Sequence, residues 1–298
     1  MKIRIGFGLG TNSLTNDQER FGGFVDDLER LNFDSLWVSE RVAGHSPDPV
    51  VAMAFAAGRT TRLKFGMSVM VLPGRNPVLV AQSMASLDRM SNGRLLPAFG
   101  LGAPNLAEHQ AFGVDRKERA PWFDEALPLI RRLWTEESVD HHGPRFQIDD
   151  VRVRPRPIQE PLDVWLGGAA PSELRRIGRL ADGWLPSFCG PEDVAEGMKL
   201  VKKTAAEHDR EIDPEHYGVL ISYRRGPIPE RTAEIITKRY PDRDPATIIP
   251  EGPDGLRDMI EGFLEVGASK FVVLPSTEPE NWTEELEEVG QVLLPLQN

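Results

Sequence analysis

Three clusters of glycine could bring the backbone close to an anionic ligand, or could only turn the chain. They lie at residues 6–10 (GFGLG), 100–102 (GLG) and 167–168 (GG), each directly after or within a short apolar run. A dinucleotide-binding G-x-G-x-x-G motif would need a third glycine at position 11 or 105, where this chain has Thr11 and Asn105. The spacing therefore excludes a Rossmann nucleotide site. For the first cluster, a purely structural turn remains an equal alternative.

The cluster at 167–168 has the features of an anion site. It follows an apolar run and precedes a helix that the sequence predicts to begin near Ser172. Glycines allow a ligand to approach the backbone, and the free N–H groups at a helix start carry partial positive charge. Together these features predict a site for a phosphate or another anion. The alternative is an ordinary turn in which Ser172 caps the helix.

The other reactive residue types do not form a metal or nucleophile site. Six histidines are scattered along the chain without an H-E-x-x-H pattern, Cys189 is the only cysteine, and no G-x-S-x-G elbow is present. We therefore expect no metal site, no internal disulfide and no covalent nucleophile.

The composition also limits the partners. Forty-six acidic and 35 basic residues give a formal net charge of −11, which disfavours binding to nucleic acid phosphates. The chain has no run of 18 apolar residues, and its start, MKIRIGFGLG, lacks the pattern of a signal peptide. We therefore expect a cytoplasmic protein with neither nucleic acid nor membrane as a partner.

The elements that must position these residues alternate between short strands and amphipathic helices. Continuous apolar strands that alternate with helices form a parallel sheet covered by helices. Eight such units in 298 residues favour a closed barrel over an open sheet. We predict an α/β fold: a (β/α)8 TIM barrel in one domain over residues 1–298, with insertions after strands 4 and 7 and a small excursion, such as a hairpin, near 138–161. The predicted strands are 3–9, 35–39, 64–72, 95–101, 163–166, 184–187, 217–223 and 271–274.

Several ordered blocks of the sequence resemble one family. They are LKFGMSVMVLPGRNPVLVAQSMASLDRMSNGRLLPAFGLG from residue 63, VWLGGAAPSELRRIGRLADGWLPS from residue 164 and, more weakly, GPDGLRDMIEGFLEVGASKFVVLP from residue 252. Together they resemble the bacterial luciferase-like oxidoreductases, and most of all the coenzyme F420-dependent branch. The resemblance implies a (β/α)8 barrel with a flavin or deazaflavin lying across its C-terminal mouth.

The resemblance also implies which residues bind that cofactor. Ser68 and Val69 match a bulge in the third strand, often a non-prolyl cis peptide, that supports the central ring from behind. Gly100, Leu101 and Gly102 match the loop along the cofactor. Gly167, Gly168 and Ala169 match the segment that holds the cofactor phosphate, in agreement with the anion site expected from the residues themselves.

Three positions depart from the pattern of the family. Many relatives have an Asp-His pair after the second strand, and this chain has Glu40 and Arg41. Glu40 is expected to take over the polar role of the aspartate, whereas an arginine stays protonated and cannot shuttle protons. Where sugar-phosphate dehydrogenases of the group have a catalytic glutamate, this chain has Ala103, and their tryptophan position falls near His45. The sugar-phosphate reaction is therefore not expected, and Glu40 and His45 are the candidate catalytic residues.

The resemblance implies an oxidoreductase that exchanges a hydride between coenzyme F420 and a small organic substrate. An FMN-dependent monooxygenase is the first alternative, because it would share the barrel and the phosphate site. A non-catalytic flavin-binding protein is the second alternative, because the catalytic positions are altered. A homodimer is expected by analogy. The variable segments 103–118 and 224–251 are expected to line the substrate pocket.

Overall fold

Strands and helices alternate along the whole chain, of which the computed structural model describes residues 1–10, 14–42, 44–103 and 105–298. The strands are Arg4–Gly8 (β1), Ser35–Val38 (β2), Lys64–Met67 (β3), Met70–Val71 (β4), Leu95–Leu96 (β5), Ala98–Gly100 (β6), Val139–His142 (β7), Gln147–Val151 (β8), Trp165–Leu166 (β9), Gly183–Trp184 (β10), Gly218–Tyr223 (β11) and Lys270–Pro275 (β12). The helices are Gln18–Leu31 (α1), Pro49–Arg59 (α2), Pro77–Met90 (α3), Leu106–Phe112 (α4), Arg119–Thr135 (α5), Pro171–Leu180 (α6), Pro191–Ala206 (α7), Glu230–Arg239 (α8), Gly252–Glu265 (α9) and Trp282–Leu293 (α10).

The parallel strands form two sheets that share two chain segments. One sheet has the order β11-β12-β1-β2-β3-β5, and the other has the order β10-β9-β6-β4. Strands β3 and β4 are the two parts of segment 64–71, and β5 and β6 are the two parts of segment 95–100, so both segments pass from one sheet to the other. On the far side, isolated parallel bridges at Trp184–Tyr217 and Ser187–Leu220 connect the sheets. Eight parallel strand segments thus surround one axis, which confirms the (β/α)8 barrel. We call these segments staves; they are β1, β2, β3 with β4, β5 with β6, β9, β10, β11 and β12.

The core lies between the staves and the surrounding helices. On β1, Ile5 and Phe7 are fully buried, and the ring of Phe7 makes edge contacts with Phe24, Phe33 and Trp282. Gly6 and Gly8 alternate with these two residues on the other face of β1. Fully burying aromatic and branched side chains of this kind contributes about 2 kcal/mol each, so this layer stabilises the barrel.

The helix starts follow from their capping residues. Pro49 and Pro77 begin α2 and α3, and the side chains of Asp48 and Asn76 accept hydrogen bonds from the first free amides. Helix α1 is capped by Asp17, whose side chain accepts a hydrogen bond from the Arg20 amide at 3.0 Å.

The predicted excursions take two forms. Residues 138–161 contain the antiparallel hairpin β7–β8, as expected. The segments expected as insertions after strands 4 and 7 contain α4 and α8, two helices that the sequence did not predict because both regions are rich in turn residues. Helix α8 packs on a second apolar cluster, separate from the main core, which we call the small cluster: Ile236, Ile248 and Ile249 with Phe188, Ile228 and Tyr240.

Candidate functional site

A cavity of about 660 Å³ opens at the carboxyl ends of the barrel strands. This is the end at which TIM barrels position their reactive groups, because the βα loops converge there. Of the ten residues that the sequence predicts for the site, eight line the cavity and two, Ala169 and His45, do not. The eight are Glu40, Ser68, Val69, Gly100, Leu101, Gly102, Gly167 and Gly168.

The base of the cavity is formed by the bulge between β3 and β4. The Ser68–Val69 peptide bond is cis, as the resemblance implied, and the Ser68 amide donates to the Val38 carbonyl at 2.8 Å. The Val69 side chain lies against two glycines of neighbouring strands. A Cβ at Gly100 would lie 2.4 Å from Val69 Cγ2, and a Cβ at Gly167 would lie 3.4 Å from Val69 Cγ1. Gly100 therefore has to be glycine for Val69 to occupy this position.

Glu40 fixes the chain just after this bulge. Its Oε2 accepts a hydrogen bond from the Val71 amide at 2.7 Å, and its Oε1 forms an ion pair with Arg75. Arg75 Nε in turn donates to the Val71 carbonyl at 2.9 Å. Burial raises the pKa of Glu40, and the neighbouring Arg75 offsets only part of that rise. Both carboxylate oxygens are thus engaged with the segment that follows the bulge.

The loop after β6 is held from outside the cavity. Arg119 Nη1 lies 3.0–3.1 Å from the carbonyl oxygens of Leu101, Gly102 and Ala103. Gly102 has a φ of +83°, a conformation that other residues rarely adopt, and this lets the loop turn sharply toward Arg119. Three carbonyl dipoles are thereby directed at a guanidinium group, where their partial negative charge is compensated.

The opposite wall contains the predicted anion segment, and its geometry differs in detail from the sequence expectation. Helix α6 begins at Pro171 with Ala170 as its N-cap, so Ser172 does not cap it. The amides of Ala169 and Ala170 both donate to Glu173 Oε2 at 2.9 Å. Glu173 itself lines the cavity, and the sequence reasoning missed it. The signal was present, because a glutamate three residues after an N-cap is the pattern of a capping box.

His45 is exposed and is not among the residues that line the cavity. It lies in the loop that follows β2, two residues after Ala43, which is outside the described residues. The structure therefore does not bring His45 into contact with the other candidate residues, and its role as acid or base stays a prediction.

The side of the cavity formed by β1, β2, β11 and β12 is rich in hydroxyl groups. The Ser276 hydroxyl is buried and has no hydrogen-bond partner among the described residues. Sequence reasoning missed this wall, because single serines at strand ends belong to no motif. The hydroxyl-bearing residues on this wall are Ser39, Ser222, Ser276 and Thr277, with Glu278 at its edge.

The ionisable groups of the cavity are few. Among the described lining residues they are three carboxylates (Glu40, Glu173 and Glu278) and two guanidinium groups (Arg41 and Arg176). Arg176 Nε donates to Asp124 at 2.6 Å. The described residues contain no group of three potential metal ligands, and no helix within them is sufficiently long and apolar to cross a bilayer. Any proton transfer by the described wall would involve a carboxylate or a hydroxyl group.

Comparison with known proteins gives a consistent result. The sequence pattern of the family described as luciferase-like monooxygenase matches residues 3–247. An F420-dependent glucose-6-phosphate dehydrogenase from Intrasporangium calvum is 33% identical over 255 residues, which are 78% of this chain and 72% of that protein.

Two solved structures share the fold over the entire length of this chain. The coenzyme F420-dependent tetrahydromethanopterin reductase from Methanopyrus kandleri has a TM-score of 0.81 at 18% identity, with all of each chain covered. The oxygenating constituent of 3,6-diketocamphane monooxygenase from Pseudomonas putida, in complex with FMN, has a TM-score of 0.75 at 16% identity, with 100% of this chain and 99% of that chain covered. At these identities the likeness shows the fold alone.

Proposed function

Since the chain belongs to the luciferase-like monooxygenase family of oxidoreductases, we propose that it transfers a hydride between coenzyme F420 and a small organic substrate. The observation that carries this proposal is the base of the cavity. Val69 projects from the bulge between two glycine positions, and this arrangement leaves an apolar surface at the base of the cavity. Such a surface fits the face of a tricyclic ring.

The residues of the cavity fit the rest of the cofactor. Ser68 and Val69 would support the ring, and Gly100, Leu101 and Gly102 would lie along it. The amides near Gly167, Gly168 and Ala169 would hold the phosphate, and a carboxylate oxygen of Glu173 already occupies two amides of this segment, which indicates that they suit an anionic oxygen. When bound, a deazaflavin supplies a carbon that exchanges hydride.

We propose that the residues of this chain position the cofactor and transfer the proton. Glu40 orients the bulge through the Val71 amide, and His45 is the proposed acid or base, a role that requires its loop to move toward the cavity. Ala103 lines the cavity without an ionisable group. This supports a substrate other than the sugar phosphate in the name of the Intrasporangium relative, and the hydroxyl-rich wall suits a substrate with a carbonyl or hydroxyl group.

FMN is the second candidate cofactor, since a protein of the same fold was solved in complex with FMN. A monooxygenase would use the same ring surface and the same phosphate segment. We further propose a cytoplasmic homodimer, which the exposed Val51 on α2 and Leu79 on α3 support, at 67% and 63% exposure. Sedimentation of the purified protein tests the dimer.

Titration of the purified protein with each cofactor tests the assignment. We expect F420 to bind with quenching of its fluorescence and FMN to bind less tightly. Gly100→Ala should weaken F420 binding by about tenfold or more, because the new Cβ would displace Val69. Gly23→Ala is the matched control, since nothing lies within 4 Å of its Cβ position.

Tight FMN binding without affinity for F420 would contradict the first choice and favour the monooxygenase. Single-turnover oxidation of the bound reduced cofactor by a carbonyl substrate would exclude the non-catalytic alternative. Equal F420 affinity in Gly100→Ala and the wild type would show that the ring does not lie against Val69.

A further inference from the structure

The start of helix α6 already has an anion on its free amides. Glu173 Oε2 accepts hydrogen bonds from the Ala169 and Ala170 amides, both at 2.9 Å. The same oxygen would lie 2.6 Å from a Cβ at position 168, where Gly168 has a φ of +101°. The carboxylate therefore lies directly against the glycine turn, at the edge of the cavity.

These amides belong to the segment that is proposed to hold the phosphate of the cofactor. A carboxylate and a phosphate cannot share two N–H groups, because two negative charges about 4 Å apart repel each other strongly near a protein surface. Glu173 is only partly buried, so its side chain has a path to solvent. One turn further along the helix, Arg176 lines the same cavity, and its Nε is paired with Asp124 at 2.6 Å.

We propose that Glu173 is an internal occupant of the phosphate position, and that a phosphorylated cofactor binds by displacing it. Glu173 then determines affinity and selectivity: it lowers the affinity for every anionic ligand and favours those whose remaining contacts offset the displacement. This inference rests on the proposed function for the identity of the natural ligand, but the competition between two anions can be measured without it.

Sulfate is the probe, because it is a compact dianion over the whole neutral range. Its dissociation constant is measured by calorimetry for the wild type, for Glu173→Gln and for Glu278→Gln. Glutamine can still accept a hydrogen bond from an amide but carries no charge. Glu278→Gln removes one charge from the same cavity at a position outside α6. It controls for the effect of the net charge of the cavity on sulfate binding. We expect Glu173→Gln to bind sulfate about tenfold or more tightly, and Glu278→Gln to change the constant much less.

Thermal unfolding separates competition from helix capping. Without sulfate, Glu173→Gln should melt at a lower temperature than the wild type, because the cap is weakened. With saturating sulfate the variant should gain more stability than the wild type does. A residue with a capping role alone would lower the melting temperature equally in both conditions, and that result would overturn the proposal.

An unchanged or weaker sulfate affinity in Glu173→Gln would also overturn it, as would an equal gain in Glu278→Gln. These outcomes are independent of the cofactor. Tight F420 binding together with an unchanged sulfate constant would refute only the role of Glu173, whereas tighter sulfate binding without F420 binding would refute only the cofactor assignment.

Discussion

Two glutamates at opposite ends of the barrel use the same kind of partner and have opposite pKa shifts. Glu29, at the N-terminal end, accepts hydrogen bonds from the amides of Thr61, Arg62 and Leu63 at 2.7–2.9 Å. Burial alone would raise its pKa, but these bonds lower it to about 2. Glu40, at the mouth, accepts from one amide and from Arg75, and its burial raises its pKa above the ordinary value.

The difference lies in how fully each carboxylate is compensated for its lost hydration. Glu29 remains 23% exposed and receives three amide bonds, so its ionised form stabilises the fold. The Glu40 side chain is 3% exposed and receives fewer bonds, so its ionised form is penalised. The N-terminal end thus uses a carboxylate for stability, whereas the mouth retains a costly one beside the cavity, as is common at functional sites.

The largest effect is expected from removing the carboxylate at the mouth. Glu40→Ala leaves the buried Val71 amide and the Arg75 guanidinium without their partner, and we expect a loss of about 3 kcal/mol in the free energy of unfolding. Urea denaturation measures it. Glu40→Gln, which keeps one acceptor, should lose less.

The control for this variant is Glu278→Ala on the rim of the same cavity. Glu278 pairs with Arg20 at 3.2 Å, and the side chains are 27% and 50% exposed. An exposed pair of this kind contributes less than about 1 kcal/mol. Equal losses in the free energy of unfolding in the two variants would contradict the view that Glu40 satisfies the Val71 amide and the Arg75 guanidinium.

A smaller effect is expected at the N-terminal end. Glu29→Gln should cost about 2 kcal/mol at pH 7, less than the full pKa shift implies because the carboxylate is partly solvated. Since the folded pKa is lowered, this stability is present above the unfolded value of 4.5 and is lost as the pH falls toward about 2. The difference in the free energy of unfolding between wild type and variant, measured by urea titration, should therefore disappear over this pH range.

Glu19→Gln, on the exposed face of the same helix, should leave the acid profile of the wild type unchanged. The contribution of Glu40 to stability depends on pH in the opposite direction. Because its pKa is raised, Glu40 favours the folded state most below pH 4.5, and it costs more stability as the pH rises through the raised pKa. A gap between wild type and Glu29→Gln that stays constant down to pH 2 would contradict the account of Glu29.

The smallest effect is expected from Lys64→Ala, which opens one of two ion pairs to Asp34 at the N-terminal end. Lys64 Nζ lies 3.2 Å from Asp34, which keeps Arg4 at 3.4 Å. Because Lys64 is 42% exposed, the loss should stay below about 1 kcal/mol, and cofactor affinity should not change. A large fall in affinity would show that the two ends are coupled.

The sequence predicts the strands, which depend on hydrophobic periodicity, but it does not predict contacts that depend on the geometry of loops. The alternation of apolar runs predicts the eight staves, because burial on both faces requires continuous apolar strands. The contact of Glu40 with Arg75 joins two loops that are 35 residues apart, and no local pattern encodes it. His45 is exposed and outside the cavity lining, so its role as acid or base stays a prediction.

Prediction from a local pattern also fails where two adjacent residues suit the same structural role. Asn16 and Asp17 are both good caps, and only the direction in which the chain enters α1 decides between them. Glu173 was identifiable from its spacing to Ala170, yet its position against the predicted phosphate amides depends on the left-handed turn at Gly168.

The separate packing of helix α8 has a consequence for access. The small cluster is not continuous with the main core, yet its Phe188 and the neighbouring Thr232 both border the cavity. We therefore expect this segment to open locally at a lower free energy than the barrel strands, because it shares little of their apolar packing. Its amides should exchange with deuterium ahead of those in the barrel strands.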